Sequence, residues 1–154
     1  MRDGVRVRQA TVKDLDLLVP LFDAYRQFYR QRSDPDRARR FLLERFEQSQ
    51  SVILLAFQGD AAIGFTQLYP SFSSGAMARI FILNDLFVTP EARRRGAGSA
   101  LLRAASEFAG RVGALRLVLS TELTNATAQS LYQRLGWQQD TNFCVYHLAV
   151  TTPE

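Results

Sequence analysis

The stretch Leu86 to Ser99, Leu-Phe-Val-Thr-Pro-Glu-Ala-Arg-Arg-Arg-Gly-Ala-Gly-Ser, constrains this chain more than any other. It reads as the end of an apolar strand, a turn at Thr89-Pro90-Glu91, and two closely spaced glycines at a helix start. Gly96 or Gly98 opens that helix, whose apolar positions are Leu101, Leu102, Ala105, Phe108 and Ala109. Positions without side chains let backbone N–H groups approach an anion, and the positive end of the helix adds to the attraction. The arginines Arg93, Arg94 and Arg95 at the loop mouth suit a polyanion. The stretch is therefore a candidate diphosphate cradle. It lacks the third glycine and the downstream acid of a dinucleotide fingerprint, and no Gly-Lys-Ser/Thr makes it a P-loop. The competing reading is an ordinary tight turn.

The rest of the chain builds a frame around that turn. Val5, Val7 and Ala10 alternate with polar residues as in a half-buried strand. Thr11 with Asp14 resembles a capping box, and Leu15, Leu18, Phe22, Tyr25 and Tyr29 recur at helical spacing to about Arg30. Ser33-Asp34-Pro35 opens a second helix. Ser51–Phe57 and Ala61–Tyr69 read as a hairpin about Gln58-Gly59-Asp60, Pro70–Gly75 as a loop, and Ala78–Val88 as a long strand. Leu115–Leu119 reads as a buried strand, Asn125 as the N-cap of a fourth helix ending at Gly136, and Val145–Val150 as a last strand. The order β-α-α-β-β-β-α-β-α-β predicts an α/β (α+β) chain with helices on both faces of a mixed sheet. No repeat, low-complexity tract or linker divides it, so residues 1–154 are expected to form one domain.

Composition narrows the function classes. One cysteine, Cys144, and one histidine, His147, exclude a disulfide framework and the common zinc sites, so no metal is expected. The longest apolar run, Val52 to Phe57, is too short to span a bilayer, and the first residues carry no signal-peptide core. A cytoplasmic protein without a membrane partner is the expectation. The net charge is +4, and Lys13 is the one lysine among 19 basic residues. Arg26, Arg30, Arg32, Arg37, Arg39, Arg40 and Arg45 form a cluster that reads as a solvated helix face rather than a nucleic-acid site.

A second constellation is Asn125-Ala-Thr-Ala-Gln-Ser-Leu-Tyr132, followed by Gly136-Trp137. Tyr132 lies two turns beyond the cap on the same helix face. It is either a core aromatic or a proton donor to a departing thiolate, since phenol and alkyl thiol have similar unperturbed pKa values. Taken together, Arg93-x-x-Gly96-x-Gly98 and Asn125-x-x-Ala-x-x-Leu-Tyr132-x-x-x-Gly136-Trp137 resemble the GCN5-related N-acetyltransferase (GNAT) superfamily. The element order matches that fold along nearly the whole chain. Asn84-Asp85-Leu86-Phe87-Val88 is more weakly similar to the diamine (spermidine/spermine) acetyltransferase-like branch.

The resemblance implies a mixed, mostly antiparallel sheet of about six to seven strands with four helices, splayed beside the strand that ends at Val88. It implies acetyl-CoA as co-substrate. Leu86, Phe87 and Val88 would offer backbone groups to the pantetheine arm, and Asn125 would contact that arm. Arg93 belongs to the same motif, and Arg94, Arg95, Gly96, Ala97, Gly98 and Ser99 would wrap the pyrophosphate. Tyr132 would be the general acid. In the diamine branch a glutamate just before the Asp-Phe-Phe-Val-like segment is the general base; Asn84 stands there and cannot take a proton. Asp85 or a water relay at Asn84 is then the base. Tyr25, Phe28, Tyr29, Tyr69 and Phe72 lie in segments that wall the acceptor site in the superfamily. The activity implied is N-acetyl transfer to a primary amine of a small molecule or peptide. Its rivals are an acyl-CoA-binding regulatory module and an acetyltransferase acting on charged tRNA. By analogy with relatives, a homodimer is a further expectation.

Overall fold

β1 (Arg6–Gln9) leads into a one-turn 3-10 helix at Val12–Asp14, where the capping box forms: Thr11 and Asp14 cap each other's backbone N–H groups. α1 spans Leu15–Phe28 and α2 spans Pro35–Glu47. Asp34 caps α2, accepting from the Arg37 N–H at 3.1 Å, and Pro35 fills the first helical position, where its missing N–H costs nothing. β2 (Val52–Gln58), β3 (Ala61–Ser73) and β4 (Ala78–Val88) form an antiparallel meander. A 3-10 turn at Pro90–Ala92 then delivers the chain to α3 (Ala97–Arg111). β5 (Leu117–Val118) returns parallel to β4, and α4 (Ala126–Arg134) follows. This computed structural model describes residues 4–152. It falls into two compact units, residues 1–120 and 121–154.

The first unit is a five-stranded sheet in the order β1-β2-β3-β4-β5, antiparallel except for the last pair. Period-2 alternation sends Ile53, Leu55 and Phe57 of β2 into a core with Leu15, Leu18, Phe22, Ala38 and Leu42 of α1 and α2. The opposite face receives α3, where Phe81 meets Phe108 edge to face at 5.6 Å between ring centroids. Two bulges break the ladders. One lies between Gln67 and Leu68 on β3, which pair with Asp85 and Leu83, so Asn84 is the extra residue of β4.

Three expectations change. Pro70–Ser73 is strand rather than loop, pairing Pro70 with Phe81 through Ser73 with Ala78. β2 ends at Val52 opposite Leu68, so Pro70 lies where β3 has β4 as its neighbour, and its missing N–H breaks no ladder with β2. The strand expected over Leu115–Leu119 contracts to Leu117–Val118, facing Phe81 and Ile82. The last strand, Val145–Val150, does not form. Those residues are exposed, and among the described residues the second unit holds no strand to supply a ladder partner. The sheet therefore has five strands among the described residues, fewer than six to seven, with the four helices as expected.

In the second unit, Asn125 caps α4 by accepting from the Ala128 N–H at 3.1 Å. Gly136, at φ 92°, ends it in the left-handed conformation that a side chain would strain. Among the described residues no helix is long and apolar enough to cross a membrane.

Candidate active site

The bulge at Asn84 organises the site. β5 ends at Val118 opposite Ile82, and β4 continues beyond that short ladder from Leu83 to Val88. Asp85 is 2 % exposed, on the same side of β4 as Phe87 and opposite Gln67 of β3. Its carboxylate accepts from Gln67 Nε2 at 2.5 Å and from Asn84 Nδ2 at 2.8 Å. Neighbours on a regular strand face opposite ways, and Asn84 is indeed exposed; the bulge nonetheless lets its amide reach back to Asp85. Below, the Thr66 hydroxyl donates to the Asp85 carbonyl at 2.7 Å. Burial pushes the Asp85 carboxyl above the usual carboxylate range, and the donors Gln67, Asn84 and Tyr25 oppose that shift.

Two tyrosines flank the carboxylate. Tyr25, near the end of α1, donates its hydroxyl to the Asn84 carbonyl at 3.3 Å. Its ring packs edge to face on Phe65 and Phe87 at 5.8 and 6.4 Å. Burial, with the Asp85 charge second, pushes its phenol well above the ordinary value. Tyr69 of β3 is pushed up to about 12, again by burial and then Asp85, while Arg45 pulls the other way. Tyr25 and Tyr69 thus join Asn84 and Asp85 in one cluster. Tyr29 packs against Tyr25 at 4.9 Å and Phe28 against Tyr29 at 5.2 Å, forming a rim that is 39 % and 56 % exposed at those two residues. Phe72 lies apart from this cluster, exposed near the tip of the β3–β4 hairpin, with the Arg79 guanidinium 5.4 Å from its ring centroid.

The glycine turn follows directly. Arg93 donates from Nε to the Val88 carbonyl at 3.1 Å and lies over the rings of Phe28 and Phe87, bracing the turn against the sheet. Arg95 donates to Gln58 Oε1 at 2.9 Å. Arg94 and Gly96 both take positive φ, 65° and 84°. Gly96 is the N-cap of α3 and has no side chain to cap it; the first helical bond runs from the Ala100 N–H to the Gly96 carbonyl. The preceding N–H groups of Ala97, Gly98 and Ser99 belong to the first turn, whose donors have no partner within the helix. They form the positive end of a 15-residue helix. In the second unit Tyr132 lies on α4 and Asn125 is its N-cap, with the Tyr132 and Trp137 ring centroids 6.1 Å apart.

Sequence reasoning passed over Gln67, Arg45 as a site residue, Ser51 and Asp23. Gln67 had a signal, since Thr66-Gln67 interrupts an otherwise apolar strand. Asp23 had none in local pattern. It pins the α1–α2 connection by accepting from the Ser33 hydroxyl at 2.6 Å and the Asp34 N–H at 2.8 Å.

A family model described as "Acetyltransferase (GNAT) family" matches residues 18–137. The chain is 52 % identical to an uncharacterized N-acetyltransferase, YhfO, of Bacillus subtilis (strain 168), over 95 % of this chain and 98 % of that one. It is 36 % identical to a probable acetyltransferase of Haemophilus influenzae, over 79 % and 80 % of the two chains. The crystal structure of a probable acetyltransferase superposes with a TM-score of 0.90 at 42 % identity, covering 96 % of this chain and 99 % of that one. The family model and these relatives agree: the chain belongs to the GNAT family of N-acetyltransferases.

Proposed function

We propose that this enzyme transfers the acetyl group of acetyl-CoA to a primary amine of a small molecule or peptide by direct attack. The observation that carries the reading is the continuity of β4. One strand supplies a stretch past β5 at Leu86–Val88, a buried carboxylate at Asp85, and the lead into the glycine turn. The turn fits a diphosphate through the N–H groups from Arg94 to Ser99, without needing a side chain. The backbone of Leu86 to Val88 would line the pantetheine arm, and Asn125 would contact that arm.

The amine nitrogen attacks the thioester carbonyl, forming the C–N bond, and a backbone N–H near Phe87 would hold the developing oxyanion. Collapse breaks the C–S bond, and Tyr132 gives its proton to the departing thiolate. The proton lost by the amine goes to Asp85, directly or through a water held by Asn84. A carboxyl raised by burial is better matched to this task than an ordinary surface aspartate. Positioning of the two reactants supplies much of the acceleration, since no covalent intermediate is required.

The test is a panel of primary amines assayed by release of free CoA thiol, with the acetylated product identified by mass. Amine-dependent thiol release is the expected result. Tight binding of acetyl-CoA with no amine-dependent release across the panel would leave an acyl-CoA-binding module instead.

A further inference from the structure

The face of the sheet covered by α1 and α2 is apolar at β2, with Ile53, Leu55 and Phe57 in the core, and polar around Tyr69. Among the described residues, three buried side-chain polar atoms have no hydrogen-bond partner: Arg45 Nε, Ser51 Oγ and Gln67 Oε1. All three flank Tyr69. Gln67 is two residues away on the same face of β3, and Ser51 precedes Val52, which pairs with Leu68. The Arg45 charge acts on the Tyr69 hydroxyl. Buried polar groups are nearly always satisfied, so three together call for an explanation. Gln67 is fully buried and already donates to Asp85 through Nε2, so its free oxygen can only accept.

The polar groups differ in kind along the cluster. At the Asp85 end they are acceptors: the free Gln67 amide oxygen beside the already bonded Asp85 carboxylate. At the other end is a guanidinium. Arg45 is 17 % exposed at its side chain, stacks over Phe41 at 4.3 Å and touches Glu44 at 3.2 Å, and its Nε still has a proton to donate. Phe41 stacks in turn on Phe22 at 5.7 Å, which fixes the arginine's stem to the core. The Ser51 hydroxyl can serve either kind of partner. A ligand that satisfies all three presents a donor to Gln67 Oε1 and an acceptor to Arg45 Nε; the neighbouring Asp85 carboxylate favours positive charge at the first end and the Arg45 guanidinium favours negative charge at the second.

We propose that the acceptor is an amino-acid-type molecule, with its amine directed at Asp85 and Gln67 Oε1 and its carboxylate at Arg45 Nε and Ser51. This deepens the acetyltransfer reading and rests on it. Tyr69, between the two poles, separates amine from carboxylate. Arg45 is a specificity-determining residue: it selects the acceptor and takes no part in the proton transfers.

The experiment compares α-, β- and ω-amino acids with their carboxamides, as acceptors for the full chain with acetyl-CoA. Wild type is expected to prefer one of the amino acids over its carboxamide by roughly 10–100-fold in kcat/KM, the range of a charged hydrogen bond. In Arg45→Gln that ratio should fall toward one, chiefly through KM of the amino acid, and Arg45→Lys should restore part of it. Thermal unfolding of each variant checks the fold, and the ratio within one variant cancels any loss of folded enzyme. Equal use of acids and carboxamides by wild type overturns the proposal while leaving acetyltransfer standing. So does a ratio that Arg45→Gln leaves unchanged. If no amine of any kind releases CoA, the acetyltransfer reading fails, and the proposal with it.

Discussion

Asp14 and Asp85 are both buried carboxylates, 8 % and 2 % exposed, yet their surroundings push them in opposite directions. Asp14, at the entry to α1, meets Arg8 through two 2.9 Å bonds and accepts from the Thr11 N–H at 2.8 Å. The hydrogen bond from Arg8 is the largest of the influences that hold its carboxyl below the ordinary value. Asp85 has amides and a phenol but no cation against it, and burial wins. A carboxylate with a guanidinium is held ionised and serves the fold. A carboxylate among neutral donors keeps some appetite for a proton, which is what proton transfer needs. Burial and the partner's charge separate the two together: burial dominates at Asp85, while at Asp14 the bond from Arg8 outweighs it.

The largest expected effect tests the chemical half of that contrast. Asp85→Asn keeps the shape and removes the proton acceptor. If Asp85 is the base, kcat/KM near neutral pH should drop on the order of 10²–10⁴-fold. The loss should shrink at high pH, where more of the amine is already neutral. A pH–rate profile measured on folded protein decides. A wild-type profile would move the role to a water at Asn84 and put Asp85 beside Asp14 as a structural residue.

Tyr132→Phe comes next. The ring stays and the proton donor goes, so kcat should fall about 10²-fold or more while acetyl-CoA affinity by calorimetry changes little. Unchanged turnover would return Tyr132 to its other reading, a packing residue beside Trp137.

The glycine turn should respond differently from both, because its chemistry is carried by backbone. A Cβ at Gly96 would meet nothing within 4 Å, so Gly96→Val acts through its φ of 84° rather than through a clash. Left-handed backbone costs a β-branched residue about 1–2 kcal/mol, and relaxing that strain turns the N–H groups away from the ligand. Acetyl-CoA affinity should weaken on the order of tenfold, with kcat at saturation little changed. Calorimetry showing wild-type affinity would mean that the diphosphate does not sit there.

Much of this was legible in the sequence where a local rule decides: the capping box at Thr11, the proline start at Pro35, the glycine turn, the Asn125 cap. These signals act over a few residues and need no tertiary partner. The misreadings have the opposite character. Pro70 stays in a strand because β2 has already ended, a fact about a neighbour and not about Pro70. Val145–Val150 alternates well, but alternation makes a ladder only when a partner strand is present. The Asn84 bulge sits in an unbroken run of strand-like residues, and only pairing to Gln67 and Leu68 reveals it. The polar cluster around Tyr69 depends on α2 meeting β3, so Arg45 looked like one more arginine on a solvated face.

The smallest expected effect is on stability, and it separates the two carboxylates by sign. Asp14 has a folded pKa below its unfolded value near 3.9, so the unfolded chain binds more protons across that interval. Its contribution is present above the unfolded pKa and is lost as pH falls through the folded one. Removing the cap in Asp14→Ala should cost about 1–2 kcal/mol at neutral pH. The exposed half of the Arg8 pair adds little once solvent screening is counted. The gap to wild type should close as pH falls below about 4. Asp85 has the reverse order, with its folded pKa raised, so the native state binds the extra proton. Wild-type stability relative to Asp85→Asn should therefore decline as pH rises through the interval starting near 3.9 and ending at the folded value. A constant offset from mismatched amide donors in Asp85→Asn does not alter that slope. Denaturant unfolding of wild type and both variants across this pH range measures the two slopes. Slopes of the same sign would mean that Asp85 is held ionised as firmly as Asp14, and the contrast between the two carboxylates would collapse.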